Sequence, residues 1–442
     1  MQEGVKLFVR KQHPFIKFFC TTFLSRKVVR FEQIHMKPQS RQLHYAWIVC
    51  LCGLWLFVCN MGLCSNILSV YLPFIEAGGL SDSMGSAILS IRCLFSFAVT
   101  FLVELYYRKL SLRRGILLAS LIGVASAVVY SIGGSALVYY TGAALGGIAY
   151  GLGAIYPVSL LLSNWFHSHR GLALGVSSAG SGVSVMVFSP LVSALVLRYS
   201  LRTTFLLQAA FMLVSAVGVF LLLRDDPAQK GLRPFGEGGA GDARTREKEG
   251  PERLPKLVMW MLAGMMLLVG GAGQAFSGHL SVLARSCGYS VKTAATVVSL
   301  QGTVLVCSKF LSGGLADRFG SKRCTSLLMV LFILGCTLVQ LMNGVSLLWC
   351  FAPVALMGFG ASVYNVGPPL WAGDLSDKAG YPKLLKWLQI FYNLGGILFS
   401  AVPGIIADHT GEYKSSYLLI AAMMLLSLTI LRWSYWRGLK KA

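Results

Sequence analysis

The chain has 442 residues, 55% of them apolar and only 13% charged, with 39 Lys and Arg against 17 Asp and Glu. So small a charged fraction excludes an ordinary soluble domain, in which about a quarter of the residues are charged. The net charge of +22 does not mark a nucleic-acid binder either. The cations are spread through polar loops between apolar runs, where they act as orientation signals and contacts to anionic lipid.

Residues 1–44 are basic and lack the cleavable apolar run of a signal peptide. They read as an N-terminal tail, and Met36 opens a shorter reading whose lead-in has an ordinary length, so Met1 and Met36 are both admissible starts. Apolar windows of about twenty residues then fall at 46–74, 84–106, 115–133, 137–164, 171–197 and 203–223. After a polar stretch, six more fall at 257–284, 293–316, 324–342, 346–371, 385–407 and 415–436. Twelve helices put both termini on one side. The opposite loops hold Arg198, Arg202, Arg285, Lys292 and Lys414, two cations lie within helices, and all the other Lys and Arg of the 39 belong to the terminal side. By the excess of positive charge, both termini are expected in the cytoplasm.

The polar stretch at 224–256 mixes basic and acidic residues with Gly and Pro, so it reads as a linker between helices 1–6 (45–223) and helices 7–12 (257–436), with 437–442 as a short tail. Weak repetition relates the halves. Gly151, Gly153, Ala154 and Tyr156 of helix 4 are matched by Gly358, Gly360, Ala361 and Tyr364 of helix 10. Gly182 and Pro190 of helix 5 are matched by Gly395 and Pro403 of helix 11. The cysteines show no zinc or redox spacing, and no nucleophile–base or metal-ligand constellation appears, so no enzyme, metal or cofactor is expected.

Between helices 8 and 9 stands Gly313-Gly314-Leu315-Ala316-Asp317-Arg318-Phe319-Gly320-Ser321-Lys322-Arg323. The turn resembles the cytoplasmic loop signature of the major facilitator superfamily. Asp317 can accept from a neighbouring helix N-terminus or pair with a loop arginine, and Gly314 and Gly320 permit close approach and a tight turn. The matching first-half loop keeps Arg108 and Arg113 but has Tyr107 where Asp317 stands, so a charge relay there must rest on the second half or on Glu104. Arg170-Gly171-Leu172-Ala173-Leu174-Gly175 opens helix 5 in the superfamily manner. The resemblance implies an all-α polytopic membrane protein of the major facilitator fold, with twelve transmembrane helices in two six-helix bundles. It also implies gating roles for Asp317, Arg318, Gly314, Gly320, Arg108, Arg113 and Arg170.

Within the superfamily, Tyr45-Ala46-Trp47-Ile48-Val49, Gly278-His279-Leu280 and the spacing of Lys309 before Gly314 are similar to the monocarboxylate and oxalate/formate exchanger branch. The chain departs from that branch at the end of helix 1, which reads Asn66-Ile67-Leu68-Ser69 and carries no lysine, and in helix 8, which has no acid before Asp317. Charges within hydrocarbon cost about 2.5–3.5 kcal/mol on insertion scales, and Arg92 and Lys309 are the two clear cases. Either they snorkel toward the faces, or they line an electropositive cavity whose charge an anion compensates. The resemblance places a substrate-binding cation at Lys309. Arg92, Tyr156, Tyr364, Tyr392 and Asn393 are further candidate substrate contacts, and His279 is the candidate for proton coupling.

The leading expectation is a secondary transporter of a small organic anion, a carboxylate, working by alternating access with a coupling ion or counter-substrate. An efflux carrier for hydrophobic compounds, or a membrane sensor or scaffold, remain as alternatives. A monomer in a bacterial cell membrane is expected.

Overall fold

The computed structural model describes residues 44–77, 82–236, 254–377, 379–399 and 402–439. The N-terminal tail with Met36, the later part of the expected linker and the last three residues lie outside them. The described residues from Tyr45 onward belong to one compact unit. Among the described residues eleven helices are long and apolar enough to cross a membrane, and one bent pair, counted as a single span, makes a twelfth.

In chain order these spans are α1 (Tyr45–Leu72), α2 (Ala87–Thr100 and Val103–Lys109), α3 (Leu112–Ile132), α4 (Ala136–Trp165), α5 (Arg170–Arg198) and α6 (Leu201–Leu222). The second half supplies α7 (Lys256–Ser286), α8 (Val291–Phe319) and α9 (Ser321–Leu338). It continues with α10 (Leu347–Leu375), α11 (Tyr381–Phe399) and α12 (Lys414–Leu439). Leu137, Leu197 and Val214 are 74%, 79% and 73% exposed. Side chains of that kind facing outward from most helices need hydrocarbon rather than water around them. The protein is an integral, multi-pass membrane protein. The side where α1 begins and α12 ends is called the terminal face below, and the opposite side the distal face.

Four of the apolar windows that read as single helices are interrupted, and two of the interruptions, in α2 and α4, have a local cause among the described residues. The middle of α1, Phe57–Asn66, winds as a π-helix, a wider turn that occurs mostly at functional sites. In α2 the axis bends by 55°. There Thr100 Oγ1 donates back to the Ser96 carbonyl at 2.7 Å, and Phe101 and Leu102 N–H bond only three residues back. In α4 the helix breaks at Ala154 because Pro157 has no N–H to offer the Gly153 carbonyl. Asn60 Nδ2, from the π-helical stretch, donates to that carbonyl at 2.9 Å instead. A similar break divides α10 after Gly360.

Capping separates α5 from its neighbours. Ser111, Ser135, Ser200 and Ser290 each accept a backbone N–H at the start of α3, α4, α6 and α8, the usual cure for orphan N–H groups. At α5 the N-cap is His169 in the left-handed region (φ 59°), and no side chain of its own turn caps it.

The expected linker is structured at its beginning. Pro227–Lys230 form a 3-10 turn, and Phe235 pairs with Phe166 in a one-residue parallel bridge while packing against Trp47. Arg113, expected at a gate, is held within the first half: its backbone N–H donates to Asp225 Oδ1 at 2.6 Å and its Nε to the Phe220 carbonyl at 2.7 Å. Burial pushes the Asp225 carboxyl up, while the Arg113 N–H opposes the shift.

Candidate functional site

Two seams join helices of the first half to helices of the second. Along the first, α5 lies against α8 with glycine on both sides. A Cβ on Gly175 would collide with the Lys309 carbonyl oxygen, and one on Gly313 would collide with the Gly171 carbonyl. The absence of side chains there lets the two backbones touch. At the terminal end of this seam, Asp317 Oδ1 accepts the Gly171 N–H and Oδ2 the Leu172 N–H, both at 2.7 Å. The carboxylate of one half thus caps the uncapped helix of the other, and its charge opposes the positive end of the α5 dipole.

Four to eight residues farther in lies Lys309, with a relative exposure of 0%. Its Nζ donates to the Ser178 carbonyl at 3.1 Å and to Ser181 Oγ at 2.5 Å, both on α5. No described carboxylate pairs with it. A buried ammonium held only by neutral oxygens keeps much of its desolvation cost, which for a buried ion is several kcal/mol. Beyond Gly182, whose Cβ position is occupied by Val306, the contact loosens: a Cβ on Gly302 would meet nothing within 4 Å, and Met186 is 49% exposed.

The second seam joins α2 and α4 to α11. Lys386 Nζ pairs with Glu104 Oε2, and Asn393 Nδ2 donates to Thr100 Oγ1 at 3.2 Å. Between them is a crevice lined by Ser96, Thr100, Tyr150, Tyr156, Gln389 and Asn393. Its volume of about 10 Å3 has room for a single water. Arg170, at the start of α5, reaches across to α11 and lies 4.4 Å from the centre of the Tyr381 ring.

Not all expected site residues converge. Arg92 is buried on α2 and donates to Ser65 and, at 3.0 Å, to Cys93 Sγ, all within the first half. It meets the Lys309 cluster only through chain neighbours, since Asn66 Nδ2, next to Ser65, donates to the Ser181 carbonyl at 3.4 Å. Tyr156 and Asn393 line the small crevice, which is too tight for an organic anion in this state. Tyr364 packs against Phe332 and Gly273 in the second-half core, and Tyr392 is buried with its carbonyl against Gly270. His279 stacks on Tyr413 and lies 3.2 Å from the Ala275 carbonyl, contacts that belong to its own half. Of the gating set, Asp317 and Arg170 bridge the halves. Arg108 and Arg318 are exposed, Gly320 takes a turn with φ 85°, and a Cβ on Gly314 would meet Leu172 only at ordinary van der Waals distance. Ser178, Ser181 and Ser65 were not singled out by sequence reading. Ser177, Ser178, Ser181 and Ser184 recur at helical spacing, a signal for one polar face that the glycines among them obscure.

A sequence profile of the Major Facilitator Superfamily matches residues 54–380 and 262–441. The MFS transporter asaE of Aspergillus flavus is 24% identical over 403 residues, 87% of this chain and 85% of its own length. Monocarboxylate transporter 12-B of Danio rerio is 24% identical over 361 residues, 74% of either chain. A hexuronate transporter of Bacillus subtilis is 23% identical over 296 residues, 62% of this chain and 68% of its own length. These relatives come from eukaryotes and bacteria alike. Among solved structures, the transporter FucP in its outward conformation superposes with a TM-score of 0.67 at 15% identity, covering 89% of this chain and 99% of that one. At that identity the likeness is one of fold. The profile runs through both halves of the bundle and through the turn that caps α5, so the chain belongs to the Major Facilitator Superfamily.

Proposed function

We propose that the protein is a secondary transporter of a small organic anion, a carboxylate, and that Lys309 is its principal anion ligand. The observation that carries this reading is the fully buried Lys309 ammonium at the junction of α5 and α8, held by two neutral oxygens. A carboxylate would supply the missing counter-charge through a charge-assisted hydrogen bond, roughly twice as strong as a neutral one. Two relatives are named for carboxylate cargo, a monocarboxylate transporter and a hexuronate transporter.

The same contacts supply a mechanism. With the terminal face sealed, Ser178 and Ser181 occupy the ammonium. An anion arriving from the distal face, past the looser contact around Gly182 and Gly302, competes for it and removes one tie between the halves. The Asp317 cap and the Glu104–Lys386 pair then set how readily the terminal face opens, because a ligand shifts a two-state balance only by its differential affinity for the states. We assign the terminal face to the cytoplasm from the distribution of Lys and Arg, which makes this the outward-facing state, in a cell membrane. Arg92, with its Nε unpartnered, attracts the anion to the distal entrance.

The test is counterflow in liposomes holding the purified protein, with lactate and glucuronate against glucose and tetraethylammonium as cargo. Accumulation of a carboxylate and of neither comparator is the expected result. Accumulation of the cation alone would overturn the reading.

A further inference from the structure

A second cationic site lies away from both seams. Between the terminal ends of α9 and α12 runs a groove of about 690 Å3 lined by Lys322, Arg323, Ser326, Leu327, Val330 and Arg432. Lys322 and Arg323 stand in the first turn of α9, and Arg432 reaches in from α12. No carboxylate is among the lining residues. Ser326 is 6% exposed, and its hydroxyl, buried in the groove wall, has no protein hydrogen-bond partner, so it is available to a water or a ligand in the groove. Leu327 and Val330, by contrast, are 50% and 37% exposed.

The chemistry changes with depth. At 1.5 Å per residue, Val330 lies about 12 Å deeper along α9 than Lys322. Lys322 and Arg323 therefore stand nearest the terminal face, the orphan hydroxyl one turn below them near the level of Arg432, and the apolar wall beneath. Lys322 is also steered toward the groove's α12 side, with Nζ 5.7 Å from the centre of the Tyr435 ring.

We propose that this groove binds one anionic glycerophospholipid, its phosphate between Lys322, Arg323 and Arg432, its ester region at Ser326 and an acyl chain along Leu327 and Val330. The charge complementarity and the apolar floor together select a lipid. A free anion would use the cations and leave the floor unfilled. The site is independent of the transported cargo.

Native mass spectrometry of the delipidated full-length protein, titrated with phosphatidylglycerol or phosphatidylcholine, tests this. Phosphatidylglycerol should give one tight adduct that phosphatidylcholine does not. The triple variant Lys322→Gln/Arg323→Gln/Arg432→Gln should lose affinity by tenfold or more, since each cation near the surface is worth roughly fivefold. The charge-matched variant Lys109→Gln/Arg114→Gln/Arg233→Gln should keep the adduct. Ser326→Leu, which fills the groove without changing charge, should weaken it as well, even if the triple variant folds poorly. Equal loss in the two triple variants, equal binding of phosphatidylcholine, or full displacement by millimolar inorganic phosphate would each overturn the proposal.

Discussion

The two seams between the halves occupy equivalent places in a duplicated plan but are built differently. The α5–α8 seam is a backbone contact: glycines bring the chains together, a carboxylate from one helix caps the other, and a lysine hydrogen-bonds across. The α2–α11 seam is a side-chain contact, with one ion pair, one amide–hydroxyl bond and a water-sized crevice. Backbone contact is unforgiving, because any added atom separates the helices. Side-chain contact can adjust by rotamer. The first seam should therefore set the conformational balance, and the second should trim it.

The largest effect is expected from Gly175→Leu. Overpacking of this kind costs about 1–3 kcal/mol, enough to move the two-state ratio by roughly five- to a hundredfold toward the state with the terminal face open. Spin labels at Lys109 and Lys383 on the two halves, in a background with the other reactive cysteines replaced, should report a longer distance. Gly404→Leu, whose Cβ would meet nothing within 4 Å, is the control, and equal distance distributions in the two would remove the seam from the account.

Asp317→Asn comes next. An amide can accept only one of the two N–H groups and turns its own donors toward the other. A loss of about 1–2 kcal/mol follows from the weakened cap and helix-dipole contact, near a tenfold shift. The same label pair should show partial opening, with expression and folding unchanged. Glu104→Gln should do least, because it loses one ion pair between two flexible side chains rather than two backbone hydrogen bonds at a helix N-terminus, and such pairs are worth about 0–1 kcal/mol. A Glu104→Gln effect larger than that of Asp317→Asn would reverse the ranking of the seams.

The spans and the family were legible because apolar windows and the 8–9 turn are local signals. The Asp317 cap was legible as one of two alternatives: an acid in that turn could meet a helix N-terminus or a loop arginine, and the Gly171 and Leu172 N–H groups take it. The breaks were partly legible: Pro157 in α4 announces a lost hydrogen bond, but nothing nearby says that Asn60, 93 residues away, supplies the replacement. The π-helical winding of α1 has no compositional mark. Arg113 read as a gate residue because its loop repeats the gate motif, yet Asp225, 112 residues on, holds it within its own half. Lys309 stood out as a charge in an apolar run, whereas its serine partners were hidden in a stretch that reads as small-residue packing.

The central claim, that an anion replaces the serine oxygens on Lys309, is tested most directly by calorimetric titration of lactate and glucuronate into wild type, Lys309→Gln and Ser181→Ala. The account predicts that Lys309→Gln binds at least tenfold more weakly, about 1.4 kcal/mol, while Ser181→Ala binds as well as wild type or more tightly because a competitor for the ammonium is gone. Wild-type affinity in Lys309→Gln would contradict it and leave Lys309 as a structural tie between α5 and α8.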